Sequence, residues 1–500
     1  MIGIYAPAEL HAEILAAVHT HHRLHELVQL HTPTGNEEEL PQDGHTICIA
    51  NGQVSMPADW WQTGPPVIWP AIPYTPLHVV GVVLAKLHNF EEAAPLLAQL
   101  PACWQAVEQY ALLVNGFAYE QEPGKAVANQ YTPLHNHAVC LHYGAGNNPA
   151  PLDQLLSAYE AALTAAAQPW QQAFTAAQMA TLLTDSGMPQ QATELLSQSI
   201  AVLGIDTHAL HHLKWLRCMA RLQMLSVPYN LQLLEELKAE MWEVLSYYET
   251  WNRLTEQGLL LVEAAQIANI SESFAEALGY ITKAVQLLEA AQLPELTANA
   301  QLKKGILLYT WAQKGQPQFY RAAKDAFLAA LQVFTRDAAP HVFADIHHYL
   351  GIIYSEIPDE VQKKSVWAGV SVSSFHEALN FYNKVDYPYE FAQVCHHFGN
   401  AFTKYPAAAL GDNFEKALNW YHEALDVRTA EAYPLERSLT LSNYLDAAWK
   451  AGNPGDGYSE DRWHDMWQRA QELKTLATEE TLRTEAADWL DVLVKAKAAV

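Results

Sequence analysis

One motif recurs four times between residues 270 and 450 and constrains the fold more than any other feature of the chain. In each copy a bulky apolar or aromatic residue stands three positions before an alanine, a proline follows the alanine after ten residues, and in three copies a glycine follows the proline after eleven. Successive copies are 46 to 48 residues apart, a period typical of stacked supersecondary units, so the sequence predicts a repeat protein. The motif residues are Ile281, Ala284, Pro294 and Gly305; Phe327, Ala330, Pro340 and Gly351; Phe375, Ala378, Pro388 and Gly399; and Tyr421, Ala424, Pro434 and Leu445.

The residue types of the motif indicate a pair of packed helices. The bulky residue and the alanine lie on one face, because positions i and i+3 are neighbours on a helix. The proline cannot continue a helix but is well placed to start the next one. The glycine falls inside that next helix, where it costs roughly 1 kcal/mol relative to alanine. We therefore expect the glycine to mark a close crossing of two helices.

Residues in two of the copies match the helices of a known repeat. Those that match its first helix are Leu350, Gly351, Tyr354, Phe398, Gly399 and Phe402, and those that match its second are Asn413, Phe414, Ala417, Tyr421 and Ala424. The series resembles the tetratricopeptide repeat (TPR) over residues 270–450 and, with looser spacing, over 74–270. The resemblance implies an all-α fold, an α-α superhelical solenoid of TPR-like helical hairpins, and it specifies a scaffold rather than a chemistry.

The long period resembles a particular repeat variant. With the residues at 424–427 and the turn at Tyr433 and Pro434, it is similar to the arrays often found ahead of caspase-like CHAT protease domains in bacteria. No such domain follows residue 450. This resemblance implies an alternative function, a regulatory or sensor subunit that controls a separately encoded enzyme such as a CHAT-type protease.

The charge balance bears on the class of partner. The chain has 55 acidic and 29 basic residues, for a net charge of −26. That balance argues against nucleic acid or an anionic membrane surface as a partner. It is compatible with a basic protein partner, although solubility is the simpler explanation of the charge.

The cysteines and the N-terminus indicate a reduced, soluble protein. The five cysteines are scattered and form no C-x-x-C pair, so neither a zinc site nor a disulfide framework is predicted. The first residues lack a basic start followed by an apolar run, and no 18-residue apolar span occurs later. We expect a cytoplasmic location.

The N-terminal segment, residues 1–73, differs from the rest. Residues 8–31 have apolar residues at helical spacing and predict an amphipathic helix, on which His21 and His25 are separated by four positions. A histidine pair at that spacing can share a metal, but nothing completes a ligand set, and we predict no metal site. Asn51-Gly52 between two short apolar runs predicts a β-hairpin.

Tryptophans and prolines are concentrated directly after the hairpin. They are Trp60, Trp61, Pro65, Pro66, Trp69, Pro70 and Pro73. This strip either caps the exposed end of the first repeat or forms a docking surface for a partner. The cap is favoured, because the end of a solenoid must be covered.

The remaining chain divides into an array and its closing helices. We predict TPR-like repeats over residues 74–452 and C-terminal capping helices over 453–500. Two interruptions fall inside repeats, a short one at 314–318 and a long one at 355–373. Insertions are tolerated at such places, on one edge of a solenoid.

Catalytic motifs are absent from the sequence. It contains no H-E-x-x-H, G-x-S-x-G, P-loop or G-x-G-x-x-G pattern. Cys395 and His396 are adjacent on a predicted helix, so their side chains point in different directions and cannot act as a nucleophile and its base. We predict a protein that is not an enzyme and has no cofactor.

The resemblance also implies a binding surface. In TPR arrays five places on the first helix of each unit line the concave face. Transferred to this chain, the rule selects Asp345, His348, Glu356, Gln393, His396, Asn400, Lys404, Asp446 and Lys450. A groove lined by these residues could hold an extended peptide or a helix. The alternative is that the positions are simply solvated.

The leading functional hypothesis is a protein–protein interaction scaffold. It predicts a protein partner that presents a peptide or a helix to the concave face of the solenoid. The sequence leaves open which protein binds and whether the array associates with itself.

Overall fold

The computed structural model describes residues 1–33, 44–119, 127–144, 149–202, 207–226, 229–407, 412–451 and 459–498. Compact packing divides the chain into unit 1, Met1–Thr250, and unit 2, Trp251–Val500. The boundary predicted between residues 452 and 453 lies outside the described residues. The predicted division into three segments stays a prediction.

Unit 1 begins with a five-stranded sheet. Its strands are β1 (Ile2–Tyr5), β2 (Val28–His31), β3 (Thr46–Ala50), β4 (Gln53–Ser55) and β5 (Ile72–Pro73). They lie in the order β2-β1-β3-β4-β5, with β1 parallel to both of its neighbours and the other pairings antiparallel. The predicted hairpin is confirmed as β3 and β4, and the positive φ angles of Asn51 and Gly52 are those that a type I′ turn requires.

The single helix predicted over residues 8–31 is wrong. Only the stretch His11–Val18 is α-helical there, and strand β2 follows after a turn in which Arg23 has a φ of 53°. The apolar residues of the short run at 28–31 fit a helical period as well as a strand period, so the pattern alone does not separate this strand from the helix before it. His21 and His25 therefore do not share a helical face, and among the described residues no three His, Cys, Asp or Glu side chains could hold a metal ion.

The rest of unit 1 consists of helices that pack in consecutive pairs. The helices of this unit are α1 (His11–Val18), α2 (Pro76–Lys86), α3 (Phe90–Leu97), α4 (Pro101–Val114), α5 (Tyr131–Tyr143), α6 (Leu152–Ala165), α7 (Pro169–Asp185), α8 (Pro189–Val202), α9 (Thr207–Gln223) and α10 (Leu231–Thr250). The pairs include α2 with α3, α5 with α6, and α7 with α8. The sheet and α1 pack on α2, and together they cover the first pair.

Unit 2 repeats the same arrangement. Its helices are α11 (Leu254–Ile270), α12 (Phe274–Ala290), α13 (Pro294–Gln313), α14 (Phe319–Ala330), α15 (Pro340–Glu356), α16 (Val361–Leu379), α17 (Pro388–Phe402), α18 (Asn413–Val427), α19 (Pro434–Lys450), α20 (Glu460–Leu476) and α21 (Glu480–Ala498). The four motif prolines start α13, α15, α17 and α19, as predicted. The chain thus has a helical-repeat fold with a small N-terminal sheet, and no helix in its described part could cross a membrane.

The motif glycines mark the contact between the two helices of a pair. A Cβ placed on Gly351 of α15 would lie 2.9 Å from the ring of Phe375 on α16. A Cβ on Gly399 of α17 would lie 2.5 Å from the ring of Tyr421 on α18. In three of the four motifs, those of Phe327, Phe375 and Tyr421, the bulky residue therefore packs directly on the motif glycine of the preceding helix. This confirms the predicted close crossing.

The two predicted interruptions differ. Residues 314–318 form the connection between α13 and α14, as expected. The prediction of a long interruption at 355–373 is wrong, because only residues 357–360 connect α15 to α16. Residues 355 and 356 end α15, and residues 361–373 lengthen α16 at its N-terminal end.

Candidate functional site

The predicted groove residues lie on the first helices of consecutive pairs in unit 2. They come from α15, from α17 and the residues just after it, and from α19. Hydrogen bonds between side chains join these three helices side by side. We call the solvent-facing side of α15, α17 and α19 the first-helix surface of unit 2.

Two of the predicted groove residues, His348 and His396, are buried beneath this surface. His348 and His396 are each only 8% exposed. His348 Nε2 is 2.8 Å from His397 Nδ1 and joins α15 to α17, while His396 Nδ1 is 3.1 Å from Thr440 Oγ1 and joins α17 to α19. Burial holds the pKa of both rings well below the usual range, so both are neutral at pH 7. Both rings therefore bond a neighbouring first helix from beneath the surface.

The hydrogen bonds of Thr440 fix the tautomer of His396. The Thr440 hydroxyl donates to the carbonyl oxygen of Glu436 at 2.7 Å and accepts from Arg428 Nη1 at 2.8 Å. Its single proton is therefore used, and His396 Nδ1–H must donate to Thr440. It follows that His396 Nε2 carries no proton and is an acceptor.

Two half-buried amides meet this acceptor at the first-helix surface. Asn400 Nδ2 donates to His396 Nε2 at 3.2 Å, and Asn443 Nδ2 lies 3.4 Å from the same nitrogen. Asn400 Oδ1 in turn accepts from Asn443 Nδ2 at 3.0 Å and from the Tyr421 hydroxyl at 2.7 Å. Sequence reasoning missed Asn443, which stands one place away from the transferred pattern, and no signal in the sequence distinguishes it.

The charged members of the predicted set are paired with neighbours. Lys404 forms an ion pair with Glu356, and Lys450 Nζ is 2.6 Å from Asp446 Oδ2. Asp345 accepts a hydrogen bond from the Tyr382 hydroxyl at 2.5 Å. The two ion pairs are each neutral overall, whereas Asp345 is bonded to an uncharged hydroxyl.

An uncharged polar group and exposed apolar side chains complete the surface. Gln393 is half-buried and makes no side-chain hydrogen bond with the described residues. Leu435, Leu439 and Trp449 on α19 are 45%, 42% and 40% exposed. Together with the Asn400 and Asn443 amides, they offer both apolar contact and hydrogen bonding.

In unit 1 the first helices of the later pairs are α5, α7 and α9. A loop of the chain itself covers one side of them. The Trp/Pro strip forms a long loop, residues 56–71, between β4 and β5. Trp69 packs against Tyr110 of α4, and Trp60 packs against Phe174 of α7 and His212 of α9. Trp60 and Trp69 are 1% and 5% exposed, so these two rings are buried against the helices.

Side chains of α5 hold this loop through its backbone. Asn136 Oδ1 accepts from the amide of Ile68 at 2.8 Å, and Asn136 Nδ2 donates to the carbonyl of the same residue at 2.9 Å. His135 Nε2 donates to the carbonyl of Pro66 at 2.9 Å, and its Nδ1 lies 2.8 Å from Thr175 Oγ1 on α7. Burial lowers the pKa of His135 to about 4. Helix α5 therefore binds the loop through the main-chain groups of Pro66 and Ile68.

Comparison with known proteins gives no family for the chain. No protein-family model matches it, and no curated protein is similar to it. Among solved structures it has a match to a circular tandem repeat protein with novel repeat topology and enhanced subunit contact surfaces. That match has 14% identity, covers 84% of this chain and 88% of the other, and has a TM-score of 0.17. At that score the similarity supports no conclusion, and the fold assignment depends on the helices and their packing.

Proposed function

We propose that this protein is a non-enzymatic scaffold that binds a segment of a partner protein on the first-helix surface of unit 2. One observation carries the proposal. The half-buried amides of Asn400 and Asn443 lie together at this surface, and Asn400 donates to the buried, neutral ring of His396. Amides held in place by their neighbours are suited to hydrogen bonding with a peptide, and exposed Leu439 and Trp449 add apolar contact. The proposal agrees with the resemblance of the sequence to the tetratricopeptide repeat.

The matching surface of unit 1 supports the proposal by analogy. There the loop at 56–71 lies against the first helices, and the side chains of His135 and Asn136 bond its main chain. The same residue types recur on α17 and α19 of unit 2. We therefore place the partner on unit 2.

The test is affinity capture from an extract of the native cell, with the wild-type chain compared with a Gln393→Glu/Asn400→Glu variant. Both positions are half-buried rather than fully buried, and the substitutions replace two amides with carboxylates, which have no N–H to donate to the carbonyl groups of a bound peptide. We expect a partner that the wild type enriches and the variant loses. Asn419→Glu on the exposed side of α18 is the matched control and should retain the partner. Equal recovery by all three chains would contradict the proposal.

A further inference from the structure

The loop at residues 56–71 shows what kind of segment the helices of this fold hold. Its central stretch, residues 64–70, reads Gly-Pro-Pro-Val-Ile-Trp-Pro and contains no charged residue. Proline has no N–H to satisfy and favours an extended chain. Within this stretch the N–H of Ile68 is bound by Asn136, and the N–H of Val67 donates to the carbonyl of Pro65 at 2.8 Å, which closes a three-residue turn around Pro66.

The histidine–threonine contact beneath the loop recurs in unit 2, although His135 Nε2 donates to the loop whereas His396 Nε2 accepts from Asn400. In unit 1, His135 Nδ1 contacts Thr175 on the next first helix, at 2.8 Å. In unit 2, His396 Nδ1 contacts Thr440 on the next first helix, at 3.1 Å. Each histidine has an asparagine beside it, Asn136 as its sequence neighbour in unit 1 and Asn443 across the helix contact in unit 2.

Asn443 has the hydrogen-bonding capacity that Asn136 uses. Its Oδ1 accepts no hydrogen bond from the described residues. One Nδ2 hydrogen is engaged by Asn400 Oδ1 at 3.0 Å, and the other makes only a long contact, 3.4 Å, with His396 Nε2. His396 would keep its bond from Asn400 if that long contact were given up. Asn443 can therefore offer one acceptor and one donor to a peptide.

The ion pairs of the surface bear on whether the ligand is charged. Lys404 and Lys450 are paired with Glu356 and Asp446, so a charged peptide would find no unpaired counter-charge among these four side chains. A charged ligand would have to break one of these ion pairs to form another. Exposed ion pairs contribute roughly 0 to 1 kcal/mol each, so the exchange would add little binding free energy. An uncharged segment avoids this exchange.

We infer that the first-helix surface of unit 2 binds an uncharged, proline-containing peptide, and that Asn443 bonds both the N–H and the C=O of one residue of it as Asn136 bonds those of Ile68. This inference rests on the proposed function and specifies its ligand. Recognition is by the main chain, so it requires a free N–H at one residue between prolines. It also predicts weak dependence on salt, because no charge pair forms on binding.

The test uses a fluorescently labelled synthetic peptide with the sequence of residues 64–70 and the full-length chain, followed by fluorescence anisotropy. We expect saturable binding that changes less than about twofold between low salt and roughly 0.5 M NaCl. The Asn443→Leu variant removes both hydrogen bonds at similar volume and should weaken binding about tenfold or more, equivalent to about 1.4 kcal/mol. Asn419→Leu on α18 is the control and should bind as the wild type does.

A second probe leaves the protein unchanged. A peptide with N-methyl-isoleucine at the position of Ile68 lacks the N–H and should bind about tenfold more weakly. Equal binding of both peptides would overturn the inference, as would loss of binding in Asn136→Leu but not in Asn443→Leu, because the peptide would then be replacing the loop of unit 1. If no peptide binds but the native partner is still lost from the Gln393→Glu/Asn400→Glu variant, the proposed function stands and this ligand is wrong. If both experiments fail, neither holds.

Discussion

Buried histidines connect the first helices of this protein, and burial determines their charge. His135 is fully buried and bound on both ring nitrogens, and burial lowers its pKa to about 4. Burial, with a smaller contribution from Arg428 and Lys404, lowers the pKa of His397 to about 4 as well. Each ring therefore bonds its neighbours in the neutral form at pH 7. Protonation would place an uncompensated charge in the core.

Stability should consequently fall in mild acid. The folded-state pKa of these rings lies below the unfolded value of about 6.5, so the unfolded chain takes up the proton first. Their contribution is complete above pH 6.5 and is lost as the pH falls towards 4, with a limit on the order of 3 kcal/mol for one fully buried ring. We expect the urea midpoint to decrease between pH 7.5 and pH 4.5. His135→Gln should be less stable than the wild type at pH 7.5 and should lose less on acidification; equal losses would show that this ring does not contribute.

The sequence could not predict which of the site residues are buried. A helical repeat predicts which side of a helix faces outward, and His348 and His396 were selected on that basis. Their exposure depends on the neighbouring first helices, which approach closely enough to bond both rings. Contacts between residues about 45 positions apart carry no local signal. Asn443 was missed for the same reason.

At the scale of helices, the repeat was predictable because its packing rule is local. Each pair needs a small residue where the helices cross and a ring to fill the adjacent space, as with Gly351 and Phe375. The prolines that start the helices are equally local signals. The N-terminal strands were harder, since runs of four residues such as 28–31 fit both a strand and a helix period.

Two glycines of unit 2 allow a direct test of the crossing. In Gly351→Ala the new methyl would lie 2.9 Å from the Phe375 ring, and we expect a loss of about 1 to 3 kcal/mol in unfolding free energy. Gly369, inside α16, has no heavy atom within 4 Å of the corresponding position. Gly369→Ala should therefore stabilise the helix by roughly 0.5 to 1 kcal/mol. Urea unfolding of both variants measures the difference, and two effects of the same sign would contradict this account.

At the scale of the whole molecule, two hydrophobic clusters can be compared, one within each unit. Trp60 and Phe174 belong to a cluster formed by the loop and the helices α7 to α9 of unit 1. Phe375 belongs to a cluster of unit 2, with Ile352 and Phe398 among its members. In repeat architectures stability is close to a sum of unit terms and nearest-neighbour terms. Damage in one cluster should therefore spread only to adjacent pairs.

Hydrogen exchange can follow that spread. Phe375→Ala removes a fully buried ring and should cost about 3 to 5 kcal/mol locally. We expect faster amide exchange in α15 to α18, which surround the ring, and unchanged exchange in α7 and α8 of unit 1, which share no cluster with it. Phe174→Ala in unit 1 is the reciprocal control and should give the opposite pattern. If either substitution accelerated exchange equally in both units, the chain would unfold as one cooperative body, and a ligand bound to unit 2 would then stabilise the loop of unit 1 as well.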